Sequence, residues 1–420
     1  MKKNIVLYAF STALNKGSTL LFFPILTLLL TLEEFGEWSL VISISSLLIP
    51  IISLNGSAAI LREGSENIKV GFRLLYYFSI LSVIISIILY TFSIYFVDIN
   101  WLPIAIAIGS AESIIFLSLT YIRVQDKAWT YLSISLLKSL LLLFLIIFAK
   151  QYNLSLTSLL EYQFYLVTLL AISISGLNFK NFVTLKIDFK NSLLFSTMLI
   201  PHGISQWVMS SSDRLILGYY ENMTSVGIYS LAYNIALFLT LINSGIGMAI
   251  PTYLIKDYQK WRKEDNDNKL IKAYTIIAII LYLILSGLYI LDYHYFNIIG
   301  YYKAEMPVLI GLIYFSLYLL GLYLIFVNYL FFHRKSRIIS KTTLLASILN
   351  IFLTVLLVNM LGTVGAAIGT LLAYIYYLHA IRAEALKLEP SLNTITISKP
   401  IAIFLVSIIL ISIVSRCSTS

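Results

Sequence analysis

A chain that runs repeatedly through twenty or so residues with hardly a charge cannot hide that surface in a water-soluble core. A helix needs about 20 mostly apolar residues to cross roughly 30 Å of hydrocarbon, and between Ile5 and Val414 the sequence offers thirteen stretches long enough or nearly so. They fall at 5–30, 38–61, 74–97, 101–122, 131–149, 158–179, 192–219, 225–254, 272–291, 306–332, 342–361, 363–381 and 400–415. With 59% of residues hydrophobic, little remains for an aqueous domain. The expected fold is an all-α polytopic membrane protein, and its function must sit between helices. The apolar run after Lys2 and Lys3 reaches Leu30 without a small-residue cleavage site, so it reads as a retained helix rather than a signal peptide, and the mature chain is expected to start at or near Met1.

Orientation follows from the cations, because cytoplasmic loops retain Lys and Arg. With the N-terminus inside, inward segments hold 23 of the 29 Lys and Arg, whereas outward segments hold only Lys150, Lys303 and Arg416. The net charge of +9 is thereby a topology signal rather than a nucleic-acid surface. It places the N-terminus in the cytoplasm and, after thirteen crossings, the C-terminus outside, as expected for a bacterial inner-membrane protein.

Several chemistries are excluded. The one cysteine, Cys417, rules out an intramolecular disulfide and a thiolate metal cluster. There is no G-x-x-x-x-G-K loop, no G-x-G-x-x-G, no H-E-x-x-H and no Cys/His metal spacing, so no nucleotide, metal or other cofactor is expected. The longest connection, Ile255 to Ile271, is charged and reads as a cytoplasmic loop between two halves, too short for a catalytic domain.

An internal repeat supports two halves. FGEWSL at 35–40 returns as VGIYSL at 226–231, aligning Gly36 with Gly227, Trp38 with Tyr229 and Ser39-Leu40 with Ser230-Leu231. A weaker echo sets the span after Tyr131 against that after Thr343, with Lys138 opposite Asn350. Six spans separate the copies, so both enter the membrane with one polarity, as in transporters whose parallel halves are related by an axis along the membrane normal. The expected domains are a six-helix lobe over 1–190, a second over 191–382, and a linker with a thirteenth helix, an appendage, over 383–420.

Three stretches carry a family resemblance: LIPHGISQWVMSSSDRLILGYYENMTSVGIYSLAY (199–233), KGSTLLFFPILTLLLTLEEFGEWSL (16–40) and NIFLTVLLVNMLGTVGAAIGTLLAY (350–374). Over roughly the first 380 residues the chain resembles the Wzx-type polysaccharide flippases of the multidrug/oligosaccharidyl-lipid/polysaccharide exporter superfamily. The most specific piece is Asp213-Arg214 followed by the VGIYS turn. The resemblance implies a MATE-like bundle that moves an undecaprenyl-pyrophosphate-linked oligosaccharide, such as an O-antigen unit, to the outer leaflet. It also implies a cationic cavity in the N-terminal half and, as partners, the lipid-linked substrate, H+ or Na+, membrane lipids and polysaccharide polymerase machinery. Twelve helices are usual in that family, so the thirteenth is a departure.

A charge at a helix centre costs about 2.5–3.5 kcal/mol on insertion scales, so each one inside a span needs a reason. Lys16 lies roughly 16 Å along its helix, and Tyr8, Thr12, Thr19 and Thr27 share its side; it either lines a cavity or pairs with an acid on a neighbouring helix. Glu112 is either a proton or cation site or the partner of Lys16 or Lys138. Lys138 either reaches the cytoplasmic interface by snorkelling or lines the cavity. In the seventh span His202, Gln206 and Asp213 fall within a 40° arc behind Pro201, the most polar face of the chain, and read as ion coupling or gating. For His202 a neutral, hydrogen-bonded ring competes with a titrating one. Asp213 and Arg214 lie about 100° apart, so each should find its partner on another helix. Tyr229, Tyr233, Asn243 and Gly247 down one side of the eighth span read as close helix packing, and Pro24, Pro50, Pro201 and Pro251 as kinks.

Three functions compete. A flippase would use Lys16, Lys138 and Arg214, with Thr12 and Thr19, to attract a pyrophosphate. A multidrug antiporter would favour an acidic pocket for cationic drugs. A membrane-embedded polysaccharide polymerase would need carboxylates or metal ligands on a sizeable aqueous loop, and the outward loops are short.

Overall fold

The protein is seen as a computed structural model that describes residues 22–179, 187–247, 250, 265–296 and 305–419. Among these there are helices and no strands. Among the described residues eight helices are long and apolar enough to cross a membrane, nine if one bent pair counts as a single span. The chain is an all-helical polytopic membrane protein.

Two compact units divide the described residues, one taking in 37–207 and the other 22–36 with 208–419. Helix α1 (Leu32–Ile52) begins in the second unit and ends in the first. In the first unit follow α2 (Gly56–Glu66), α3 (Ile68–Phe96), α4 (Leu102–Val124), α5 (Ala128–Gln151), α6 (Leu156–Phe179) and the short α7 (Phe189–Thr197). Helix α8 (Ile200–Tyr220) leads into the second unit.

The predicted span 38–61 is broken in the structure. Leu54 and Asn55 adopt positive φ (49° and 51°), ending α1 and turning the chain into the amphipathic α2. Asn is one of the few non-glycine residues that tolerate this conformation. The core of the first unit joins Ala59 and Ile60 of α2 to Phe72, Leu75 and Phe78 of α3 and to Leu117 and Tyr121 of α4. Close approach positions α4 against α1: Ser45 donates to the Ala105 carbonyl at 2.9 Å, and a Cβ on Gly109 would stand 2.9 Å from the Ser45 carbonyl oxygen. Small residues at such crossings let helices pack by van der Waals contact where lipid offers no hydrophobic drive.

The predicted span 192–219 is divided too, at Met198 and Leu199, ahead of Pro201. In the second unit α9 (Met223–Ala236) and α10 (Phe238–Gly247) are bent by 51°. That bend lies at Leu237, ahead of the predicted kink at Pro251, which falls outside the described residues. Then come α11 (Asn266–Leu291), α12 (Met306–Phe332), α13 (Ser336–Leu388) and α14 (Ser398–Thr419). Helix α12 has the predicted bounds. Helix α13 is two crossings: Gly362 is non-helical (φ 57°, ψ −134°), and each side exceeds the length a membrane span requires. Only glycine accepts that conformation without steric cost. The halves then run close together, since a Cβ on Gly365 would meet the Leu357 carbonyl oxygen at 2.1 Å and one on Gly369 would meet Thr354 Oγ1 at 2.8 Å.

The last helix is no appendage. Phe404 is fully buried and stacks on Tyr318 with ring centroids 3.8 Å apart, while Ser412 and the Tyr282 hydroxyl are 2.9 Å apart, which ties α14 to α12 and α11.

Candidate functional site

The strongest constellation of ionisable and hydroxyl groups lies in the second unit around Asp213. Helix α8 carries it inward at 1% exposure, where a carboxylate must find hydrogen bonds to replace water. Neutral hydroxyls supply them. Tyr229 of α9 donates to Oδ2 at 2.6 Å, Thr370 from the second half of α13 lies 2.9 and 3.0 Å from the two oxygens, and Thr354 from the first half lies 3.5 Å from Oδ1. One carboxylate thus ties three helices together. The close approach at Gly369 brings Thr370 and Thr354 to the same carboxylate.

A second layer orders the first. Asn350 donates to Thr370 Oγ1 at 3.2 Å, and its own carbonyl oxygen lies 3.2 Å from the Ser212 hydroxyl. Tyr374 donates to the Met209 carbonyl at 3.2 Å, holding α8 against α13.

Arg214 points elsewhere, as the 100° step between adjacent helical residues requires. Its guanidinium lies 4.5 Å from the centre of the Tyr233 ring, and it donates to Ser230 Oγ at 3.2 Å and to the Ser210 carbonyl at 3.4 Å. Asp213 and Arg214 do find their partners on other helices. Arg214 is itself buried, so its charge is held by a ring face and neutral oxygens.

The other residues singled out from the sequence do not converge on this place. Lys138 donates to Glu112 Oε2 at 2.6 Å within the first unit, each side chain 19% exposed. Of the alternatives left open for Glu112, the structure brings it to Lys138, and their charges cancel. Gln206 is exposed and His202 half-buried, whereas Asp213 is buried, and all three stand on the one unbroken helix α8. Lys16, Thr12 and Thr19 lie outside the described residues. Among the described residues no group of three or more His, Cys, Asp or Glu is placed to hold a metal ion.

Thr354 and Thr370 escaped the sequence reading. Threonine in an apolar helix usually satisfies its hydroxyl on its own backbone, so neither announces a ligand. The available signal was their setting: Asn350 and Thr354 share a helix face at i and i+4, and Thr370 directly follows Gly369.

Helices that cross repeatedly, with the polar chemistry buried among them, define a multi-pass membrane protein of the MATE fold. The architecture matches an inward-facing multidrug resistance MATE family transporter of the MOP superfamily with a TM-score of 0.65 at 15% identity, over 92% of this chain and 96% of that one. An outward-facing MATE family transporter of that superfamily matches with a TM-score of 0.60 at 15% identity, over 94% and 97%. The MATE multidrug transporter DinF-BH matches at 0.64 and 13%, also over 94% and 97%. In sequence, residues 1–255 match the family described as polysaccharide biosynthesis protein, and the chain belongs to that family. No curated protein matches the chain.

Proposed function

We propose that the chain is a Wzx-type flippase. It moves an undecaprenyl-pyrophosphate-linked oligosaccharide, an O-antigen or similar surface-polysaccharide unit, from the cytoplasmic to the outer leaflet of a bacterial inner membrane by alternating access. The observation that carries this reading is the conjunction of a polysaccharide-biosynthesis sequence over residues 1–255 with a MATE fold over 92% of the chain. A polysaccharide pathway needs its lipid-linked unit carried across the bilayer, and that fold is the one MATE family transporters have. Lobes over 1–190 and 191–382 would be the moving bodies.

Within this reading Lys16, with Thr12 and Thr19, meets the pyrophosphate. Arg214, held by the Tyr233 ring and Ser230, adds to the positive potential, and Lys138 adds to it once its ion pair with Glu112 opens. Asp213 is the coupling group. A carboxylate ringed by three hydroxyls can take up a proton or share a sodium ion with their oxygens. The membrane potential supplies about 2.3 kcal/mol per charge per 100 mV to such a step. Glu112, His202 and Gln206 belong to gating.

The test is glycan export. Lys16→Ala, at normal protein level, is expected to abolish surface polysaccharide and leave lipid-linked units facing the cytoplasm; unchanged export would overturn the headgroup assignment. In vesicles loaded with the lipid-linked unit, imposed proton and sodium gradients are expected to differ in the flipping they drive. No protein-dependent flipping under either gradient would overturn the function itself.

A further inference from the structure

The first unit holds a groove of about 930 Å³ that the flippase reading leaves unused. Its walls are α3 and α6 and its floor is α4, where Ala107, Ser110 and Ala111 are small enough to leave a trough between the flanking helices. On α6 the lining runs from Thr157 to Gly176, which at 1.5 Å per residue is about 28 Å. That is close to the whole hydrocarbon thickness of a bilayer. The trough is therefore shaped for an extended chain lying along the membrane normal.

Apolar surface alone confers no selectivity here, because lipid tails are as apolar as the groove. The choice of occupant falls to the polar end. Short connections join α4, α5 and α6, so α4 and α6 start at the same level, and there the lining includes Glu161 with Trp101 and Tyr90. Aromatic side chains of this kind mark the headgroup level of a membrane. Glu161 is exposed here, whereas Glu37, which also lines the groove, is engaged in an interaction of its own, and the described lining residues include no Lys, Arg or His. A phosphate pressed against this end would meet the like charge of the Glu161 carboxylate; an ammonium would meet an opposite one.

We propose that the groove is a binding site for an aminophospholipid, one acyl chain lying over Ala107 and Ala111 and the ammonium of the headgroup paired with Glu161. The proposal does not rest on the flippase reading.

The full chain, purified in detergent, is titrated with phosphatidylethanolamine and with phosphatidylglycerol of identical acyl chains, and bound lipid is counted by native mass spectrometry. Phosphatidylethanolamine is expected to be retained roughly fivefold more strongly, the factor that a single partly exposed ion pair can supply. Glu161→Gln, at an exposed position that leaves the fold intact, should erase the preference, and Ala107→Phe should lower retention of both lipids. Equal retention of the two lipids by the unmodified chain overturns the proposal. So does a preference that survives in the Glu37→Gln/Glu161→Gln double variant. Saturable binding of tetraphenylphosphonium that neither lipid displaces would instead assign the groove to a small lipophilic cation.

Discussion

Gly36 and Gly227 face each other's helix with the same four-residue offset: a Cβ on Gly36 would lie 1.9 Å from the carbonyl oxygen of Met223, and one on Gly227 would lie 2.2 Å from that of Leu32. These are the glycines aligned by the FGEWSL and VGIYSL repeat. The repeat therefore survives as a reciprocal backbone contact between α1 and α9 within the second unit, in which each copy supplies the gap that the other fills. Gly36→Ala and Gly227→Ala should each force backbone apart and cost about 1–3 kcal/mol, read as a lower midpoint of thermal unfolding in detergent. Because both act at one crossing, the double variant should lose less than the sum of the singles. Full additivity would mean that the two positions do not share a contact.

How much of this was visible beforehand depends on what terminates a helix. Span 306–332 and the break at Gly362 were legible because an apolar run ended by polar residues, or by a glycine between two apolar runs, leaves one reading. The breaks at Leu54 and Met198 were not, although Asn55-Gly56 and Pro201 stand beside them, because the apolar runs around them continue on both sides; the break at Leu237 carries no such signal at all. Their freed polar groups are satisfied locally or by tertiary contacts, as when Thr240 donates to the Leu237 carbonyl at 2.6 Å. At the site, Asp213 and Arg214 stood out by the cost of burying charge, whereas the hydroxyls that surround Asp213 look in sequence like any other threonine or tyrosine. The buried place of α14 was likewise hidden, because Phe404 is one aromatic among many until its stacking partner is known.

The Asp213 cage makes a coupling prediction. Tyr229→Phe and Thr370→Val each remove a hydrogen bond to a buried carboxylate and should cost about 1.5–3 kcal/mol. In an Asp213→Asn background the charge is gone, so the same changes should cost roughly half as much in a double-mutant cycle. Equal costs in both backgrounds would show that the hydroxyls serve packing rather than the carboxylate. If the proposed coupling role holds, Asp213→Asn also abolishes gradient-driven flipping while its unfolding midpoint stays near that of the parent.

Lys138 and Glu112 should behave as one neutral unit. Removing either partner leaves a charge in a poorly solvated place, so Lys138→Met or Glu112→Leu alone is expected to lower stability by about 2 kcal/mol, discounted from the fully buried case because each side chain is one-fifth exposed. The pair of changes together should recover most of that loss, because two apolar groups replace two cancelling charges. Folded yield in detergent and the unfolding midpoint report both effects. A double variant as impaired as the worse single would show that one of these charges has a task apart from the pair.

The last helix offers the sharpest contrast between the sequence reading and the structure. An appendage can be cut away with little consequence; a packed helix cannot. Phe404 stacks on Tyr318, Tyr314 and Phe315, so Phe404→Ala should open a cavity among the rings and cost about 3–5 kcal/mol. Ser412→Ala, which deletes only the contact with the Tyr282 hydroxyl, should cost about 1 kcal/mol. Truncation after Ile397 removes α14 whole and strips cover from the tyrosines of α11 and α12, and the shortened chain is expected to aggregate on size-exclusion chromatography. A monodisperse truncated chain with the parent's unfolding midpoint would return this helix to the periphery. Loss on truncation, with only a small effect from Ser412→Ala, would place the stabilisation in the aromatic stack, where ring area and not the hydroxyl contact sets the energy.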